Sequence, residues 1–569
     1  MKKILCILLC LSLIFFIPGC SSDSNAPQNQ TIAYTLPAEP KTLDPQVASD
    51  YASHIVIVNL FEGLVRIGQD GSVQPGVAES WSANADSTVF TFTLRADAMW
   101  PEWTERNTVT GEDGKQKTET VTHPSEAVTA EDFVYGLRRA LEPATNSPAA
   151  ETLFAIKNAE AVHSGSLPVE DLGVRADSGQ TLVIELAYPY KDFPALMSIP
   201  AAMPCNKDFF EYTRGQYGLE TESILGNGPY EMANRYAWDH NNTLSLARSE
   251  SYRSEREAVP LALSFSIGEE EDRNPVEAVT SGTLDACALP GGYLSEAQQA
   301  GLAITSFEDT TWGIIFNLQA RLPRQGSSQA PVFSNLSLRK GFLQSIDREY
   351  LMQSLPAGYQ EASDIIPPET TLGGQAYRPQ AGSGFSPAYS ENTSSMIQDG
   401  LSQLGANRSI LSDLTILCPD DPESRQMVST LLEIWNKQLG YYFNMEPVDT
   451  DTLSDRLERG DYVIAFAPLR AQEDGPGEFL KLFASTTPEN PAGLQSSEFD
   501  ALLNAAENRT PEEAAQAYAT AERYLCDNAI FYPIAYEKRY FASAANVTGI
   551  HFLSYNAGID FSQAVKNME

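Results

Sequence analysis

Between residues 428 and 466 the chain spells helix, strand, helix, strand at a spacing that suits α/β units. Val428, Leu431, Leu432, Trp435 and Leu439 fall on one helical face, and Gly440 supplies the left-handed residue that ends it. A strand-like run at 441–448 follows. A short helix over 452–459 then leads through Gly460 to a strand over 462–466. The same alternation occurs upstream. Residues 89–94 and 181–186 carry β-branched and aromatic side chains at period two. Between them, Thr129 followed by Glu131 and Asp132 predicts a capped helix start, with Phe133, Leu137, Ala140 and Leu141 on one face and Pro143 ending it. Thr510-Pro511-Glu512-Glu513 is a capping box that opens a helix through Leu525. Polar residues 103–126 read as a long surface loop, and 373–392 as a Gly, Ser and Pro-rich excursion.

The first residues are not part of that fold. Lys2 and Lys3 precede an apolar run from Ile4 to Ile17, and Pro18-Gly19-Cys20 closes it. A basic start, a short apolar core and a small residue before a cleavage point make a secretory signal, too short to span a bilayer as a helix. Residues 17–20 resemble a bacterial lipobox, with Cys20 as the thiol that takes the lipid; plain cleavage is the bland alternative. The polar residues 21–30 read as a tether. About 550 residues then remain, enough for two to four domains.

Composition narrows the functions. The formal charge is −37, with acidic residues scattered, so a nucleic-acid partner is excluded. The five histidines are far apart, and Cys205, Cys287, Cys418 and Cys526 make no metal-binding spacing, so no metal and no cofactor are expected. Whether any of these thiols pair is open. No GxSxG, HExxH, Walker A loop or dinucleotide fingerprint occurs. Gly226-Asn227-Gly228-Pro229 reads as a turn, because Pro229 removes a donor a phosphate would need. Enzymatic chemistry has no visible seat.

A set of ordered blocks points elsewhere. They are Thr42-Leu43-Asp44-Pro45, Leu60-Phe61-Glu62-Gly63-Leu64, Pro75-Gly76-Val77-Ala78-Glu79-Ser80-Trp81, then residues 90–95 with Trp100, then residues 128–135. Further on come Asp171-Leu172-Gly173-Val174, Asn227-Gly228-Pro229-Tyr230, Ser281-Gly282-Thr283-Leu284-Asp285 and the run from Leu338 to Arg348. In this order they resemble the oligopeptide- and dipeptide-binding solute-binding proteins (family 5) of ABC importers, over residues 32–552. Most of the blocks read as scaffold: Trp81 and Trp100 as core aromatics, Arg95 as the partner of an acid.

The resemblance implies an α/β, periplasmic-binding-protein-like fold: two α/β lobes joined by hinge strands, with an extra subdomain inserted in lobe I. Lobe I would comprise residues 31–61, 187–307 and 537–569, the inserted subdomain 62–186 and lobe II 308–536. It implies a monomeric, lipid-anchored protein on the outer face of the cell membrane. Its partners would be a peptide, held extended between the lobes, and an ABC permease with its ATPase. Ligand contacts would come from Ser49, Asp50 and Tyr51, from the segment holding Phe466, Ala467, Pro468, Arg470, Glu473 and Asp474, and from Tyr536. That segment departs from the family. Arg470 stands where oligopeptide binders place the Asp that neutralises the peptide's α-ammonium. Glu473 or Asp474 replaces that anion, or the ligand has no free amine (a blocked or cyclic peptide, or an acidic small molecule held by Arg470), or the alignment slips here. Other ligands on this fold (a metal complex, glutathione, a signalling peptide), an exported hydrolase, and a chaperone or sensor without a permease are the alternatives.

Overall fold

Two long strands, Ala303–Phe316 and Phe531–Ser543, organise the molecule. They pair antiparallel from Ala303 opposite Ser543 to Ile315 opposite Phe531. In the computed structural model the described residues are 31–69, 72–110, 116–253, 258–268, 274–322, 325, 329–372, 375–382, 393–471, 474–487, 490–506, 509–555 and 558–567. The signal, Cys20, the tether and Glu473 lie outside them.

Two lobes form around these strands. On one side Ala286–Leu289 adds to their far end, while Thr31–Leu36, Ala262–Ile267, Thr243–Arg248 and Tyr230–Met232 form a second sheet. Its core includes Tyr34, Ile55, Phe265 and Phe561 and continues into a four-stranded antiparallel sheet built on Val89–Leu94 and Thr181–Glu185. On the other side Ile464–Arg470 pairs with Ala303–Phe316, and Thr415–Pro419 and Asn444–Val448 follow in parallel. This end is buried on both faces. Ile464 and Phe466 join one core with Trp312, Phe342 and Trp435. Ala465, Ala467 and Leu469 join another with Phe479 and Phe531. Alternate residues of a pleated strand point to opposite faces, and a strand covered on both sides is apolar throughout.

The helices start and stop where expected. Ala130–Leu141 is closed by the Thr129 N–H donating to Asp132 at 2.7 Å. Pro422–Leu439 is capped by Asp421, which accepts from the Ser424 N–H at 2.7 Å, and ends on Gly440 at φ 69°. Pro511–Asp527 begins with the Glu513 N–H donating to Thr510. The strand expected over 441–448 begins only at Asn444, and the one over 462–466 runs instead from Ile464 to Arg470. Residues 103–126 are not a loop. Trp103–Thr110 and Gln116–His123 form a hairpin, locked by the Trp103 ring stacked on His123 at 3.8 Å. Its strands alternate threonine with charge instead of apolar with polar, so the period-two hydrophobic signal is missing. In the 373–392 excursion, Gln375–Ala376 pairs as a short strand and Tyr377–Ala381 is helical and ends on Gly382; residues 373–374 and 383–392 lie outside the described residues.

Arg95 donates to Glu62 at 2.5 Å, and the Tyr252 hydroxyl donates to the same carboxylate. Trp100 is fully buried. Asn227 exchanges two hydrogen bonds with the backbone of Glu62, and a Cβ on Gly226 would stand 2.0 Å from the Leu60 carbonyl oxygen. The turn is therefore a clamp on lobe I. The cysteine question is settled: all four are free and buried, and burial lifts the Cys287 and Cys418 thiols to about 11. Such thiols are inert at neutral pH.

Candidate functional site: a charged seam between the lobes

Both long strands carry charges where apolar residues would be expected. Glu308 and Asp309 interrupt the first, and Glu537, Lys538 and Arg539 interrupt the second. The ladder slips here: Phe307 faces Arg539, Thr310 faces Glu537, and two residues are squeezed opposite one. Such a bulge bends the strand and re-aims its side chains. The core also changes identity here. Phe541 belongs to the first lobe's core, and Tyr532, Ile534 and Trp312 to the second's.

The charges pair across the bulge. Arg539 donates through Nε to Asp309 at 2.9 Å and through Nη2 to its other oxygen. Lys538 sits 3.1 Å from Glu308, whose own N–H donates to Glu369. Asp309 is 4 % exposed, so this pair is largely out of water. The Tyr51 ring lies 5.9 Å from the Arg539 guanidinium. Its hydroxyl is buried without a hydrogen-bond partner, and burial, with the Asp309 charge, lifts its pKa to about 12 against the opposing pull of Arg539.

Arg470 is tied into the same seam. Its Nε donates to Thr310 at 3.0 Å and its Nη2 to Glu537 at 3.0 Å; the Trp312 indole donates to the same Glu537 oxygen at 2.7 Å. The guanidinium therefore carries its counter-charge already. Asp474 follows four residues later. Its carboxylate accepts from the Thr371 N–H at 2.8 Å and the Thr371 hydroxyl at 2.5 Å, and it stays exposed. The protein around it still raises its pKa: desolvation dominates, and the hydrogen bonds from Thr371 and Tyr555 oppose it only in part.

The sequence candidates thus divide. Tyr51, Arg470 and Asp474 converge on the seam. Asp50 caps the helix Tyr51–Leu60, accepting from the Ser53 N–H at 2.9 Å, and Ser49 is exposed just before it. Phe466 stacks on Trp312 at 5.3 Å and Ala467 is buried on the opposite face. Pro468 faces Trp312 in the ladder. Tyr536 is buried; its hydroxyl accepts from the Asp364 N–H at 3.0 Å, and burial lifts its pKa to about 12. Asp309, Arg539, Glu537, Thr371 and Tyr555 were not singled out. The signal for the first three was present as charged runs inside two otherwise apolar strands.

One main-chain edge lacks a strand partner, although Phe466, Ala467 and Leu469 are buried. Ile464–Arg470 pairs along its whole length with Ala303–Phe316, but Thr415–Pro419 covers its other edge only at Ile464 and Ala465. Among the described residues no strand pairs with the outer edge of residues 466–470. In the helix Pro476–Lys481 that follows, Lys481 lies 3.1 Å from Glu478. Among the described residues there is no group of three or more His, Cys, Asp or Glu side chains able to hold a metal, and no helix is long and apolar enough to cross a membrane.

The sequence profile of the bacterial extracellular solute-binding proteins, family 5 Middle, matches residues 72–491. The chain belongs to this family. The oligopeptide-binding protein OppA of Bacillus subtilis is 24% identical over 91% of this chain and 90% of its own length. A structure of Listeria monocytogenes OppA bound to peptide superposes with a TM-score of 0.76 at 20% identity, covering 95% of this chain and all (100%) of that one. The Escherichia coli murein tripeptide-binding protein MppA is informative in two forms. One structure gives a TM-score of 0.74 and the unliganded open form 0.63, at 23% and 24% identity, each covering 95% of this chain and 99% and 98% of the other. The fold is that of the two-lobed binding proteins.

Proposed function

We propose that the protein captures peptides bearing a free α-ammonium between its lobes and delivers them, unaltered, to an ABC permease and its ATPase. The observation that carries this reading is the unpaired edge of residues 466–470, with Asp474 four residues beyond it. An extended peptide can add to that edge as a strand, main chain to main chain. Pro468 offers no N–H, so recognition along this edge leans on the neighbouring residues. Asp474 then stands as the counter-charge for the amine. Its raised pKa favours this role, since an arriving ammonium relieves the desolvated carboxylate. Arg470 is already neutralised by Glu537, which argues against an acidic ligand held there. Peptide binding by the relatives supports the ligand class. Catalysis is not part of the proposal, and neither a metal nor a cofactor is.

The lobe boundaries proposed are those expected from the sequence, with the division at 307/308 and 536/537 falling on the bulge. Lipidation at Cys20 would hold a monomer on the outer face of the membrane. Cys20→Ser should release it from the membrane fraction, and retention after that change rules the anchor out.

The central test is calorimetry with tri-alanine and its N-acetylated form. Wild type should bind the free-amine peptide more tightly, and Asp474→Asn should remove that preference, a loss of about 2–5 kcal/mol for a close charge pair. Equal affinity of wild type for both peptides excludes Asp474 as the amine's partner. Mass spectrometry of cargo that co-purifies identifies the natural ligand, and a bound peptide that leaves shortened would show hydrolysis instead.

A further inference from the structure

Tyr555 belongs to one lobe by sequence neighbourhood and to the other by its ring. The flanking strands His551–Phe552 and Ile559–Asp560 pair with each other. They are fastened to the first lobe. Phe552 stacks on Phe541 at 4.7 Å, the Asn59 amide donates to the Ile559 carbonyl at 2.7 Å, and the Phe561 N–H donates back to Asn59 at 3.0 Å. The Tyr555 ring leaves this anchorage and sits in the second lobe's core, 6.3 Å from the Phe479 ring and 6 % exposed.

Three contacts seat it. Its N–H donates to Asp309 at 3.1 Å, at the bulge. Its hydroxyl donates to the Thr370 hydroxyl at 3.2 Å. Its ring packs edge-on to Phe479. To do so it adopts φ 54°, a left-handed conformation unfavourable for an aromatic L-residue and held only where surrounding contacts compensate. Asp309 lies on a strand shared by both lobes. Thr370 and Phe479 do not, so a rotation of the lobes about the bulge draws the ring away from both. The neighbour of Thr370 is Thr371, which fixes the Asp474 carboxylate with two hydrogen bonds.

We propose that Tyr555 is the interlobe positioning residue of the cleft: seating its ring against Phe479 and Thr370 completes closure and sets the Thr370–Thr371 pair that holds Asp474. This rests on the reading of the cleft as a closing clamp on peptide. The less favourable φ then acts as a weak spring, so the seat is formed in part without ligand, is completed when ligand holds the lobes together and is given up when they part. The role is positioning, because Tyr555 acts through Asp474, directly by its hydroxyl and indirectly through Thr370 and Thr371.

The test compares wild type, Tyr555→Phe and Tyr555→Ala. Small-angle scattering is measured on each without ligand and with saturating tri-alanine, and stopped-flow gives kon and koff for the same peptide. The phenylalanine variant keeps the ring and should fold; loss of the hydroxyl bond should raise koff about 3- to 10-fold with kon unchanged. The alanine variant should raise koff further and expand the scattering curve, so that the order is wild type, Phe, Ala. A residue that only stabilised the fold would lower the melting temperature and leave kon, koff and the scattering in place. Coincident scattering curves for all three proteins in both conditions overturn the proposal. If wild type fails to bind tri-alanine, the peptide reading falls on that peptide, and the ligand-free scattering order alone decides for or against Tyr555.

Discussion

Replacing Asp309 by Asn tests the seam most directly. Asp309 receives four donors: Nε and Nη2 of Arg539, the Tyr555 N–H and the Thr310 hydroxyl. They divide two and two between its oxygens, Oδ1 facing Arg539 Nε and Thr310, Oδ2 facing Arg539 Nη2 and Tyr555. An amide keeps one oxygen, so two donors must confront an NH2 group whichever way it turns. The Arg539 charge is left without its partner in a place where Asp309 is 4 % exposed. Breaking one side of a buried pair costs about 3–5 kcal/mol. The surviving oxygen and the partly exposed Arg539 place Asp309→Asn near the lower end, about 3 kcal/mol. Urea unfolding followed by tryptophan fluorescence measures it, and a cycle with Arg539→Met separates pairing from packing. The double variant should be less destabilised than the sum of the singles by at least about 1.5 kcal/mol. A single Asn variant within about 1 kcal/mol of wild type, or singles that simply add, would refute the reasoning.

Three further outcomes are expected. Burial raises the Asp474 pKa, so its contribution to stability is full below the unfolded value of about 3.9 and is lost as pH rises through the folded value. Asp474→Asn should therefore melt higher than wild type at pH 7 and converge with it below about pH 4, even as free-amine peptide binding falls. For His240 burial lowers the pKa, but hydrogen bonds to Glu39 at 2.6 Å and to Glu220 at 3.4 Å outweigh it and raise it. Its stabilisation is full below about pH 6.5 and lost as pH rises through the folded value, so a melting-temperature gap between wild type and His240→Gln should close by about pH 9. Arg470→Met should cost no more than about 1 kcal/mol in urea unfolding, because that pair is part-exposed; a larger loss would mean that Glu537 depends on it.

Much of the fold was legible because its elements carry local signals. Thr129, Asp421 and Thr510 cap helices at the positions their chemistry dictates, and Gly440 and Gly460 end two of them at positive φ. The hairpin at 103–123 was not legible, since its strands lack apolar alternation. The seam was half legible. Tyr51 and Asp474 were reached by the resemblance. Asp309 and Tyr555 were hidden because their meaning comes from meeting partners far away in sequence, Arg539 and Thr370. A charged residue inside an apolar strand is the trace such a site leaves, and Glu308-Asp309 and Glu537-Lys538-Arg539 are two traces that answer one another across one ladder. Arg470 shows the opposite hazard. Its sequence position suggested a charge awaiting a ligand, while its register opposite Thr310, beside Glu537, supplies the counter-charge from within the sheet.

On the proposed reading, the energetics of Asp474 bear on how a sequence-tolerant binder could still insist on an amine. A carboxylate that is costly to ionise in the folded protein is a site prepared for a cation. Two hydrogen bonds from Thr371 hold it in place without neutralising it. In the proposed complex a peptide ammonium would neutralise the carboxylate, and closure of the lobes around the pair would strengthen the contact. A blocked amine offers no such charge and leaves the carboxylate more deeply desolvated once the lobes close. Sites built around a charged or hydrogen-bonding partner reject analogues that lack it far more strongly than apolar pockets reject a missing methylene. In the proposed binding mode, side-chain tolerance and strict end recognition are compatible: the unpaired strand edge would read main chain, which every peptide shares, and Asp474 would read the terminus. Closure through Tyr555 joins the two, because the threonine that seats the tyrosine adjoins the one that holds the carboxylate.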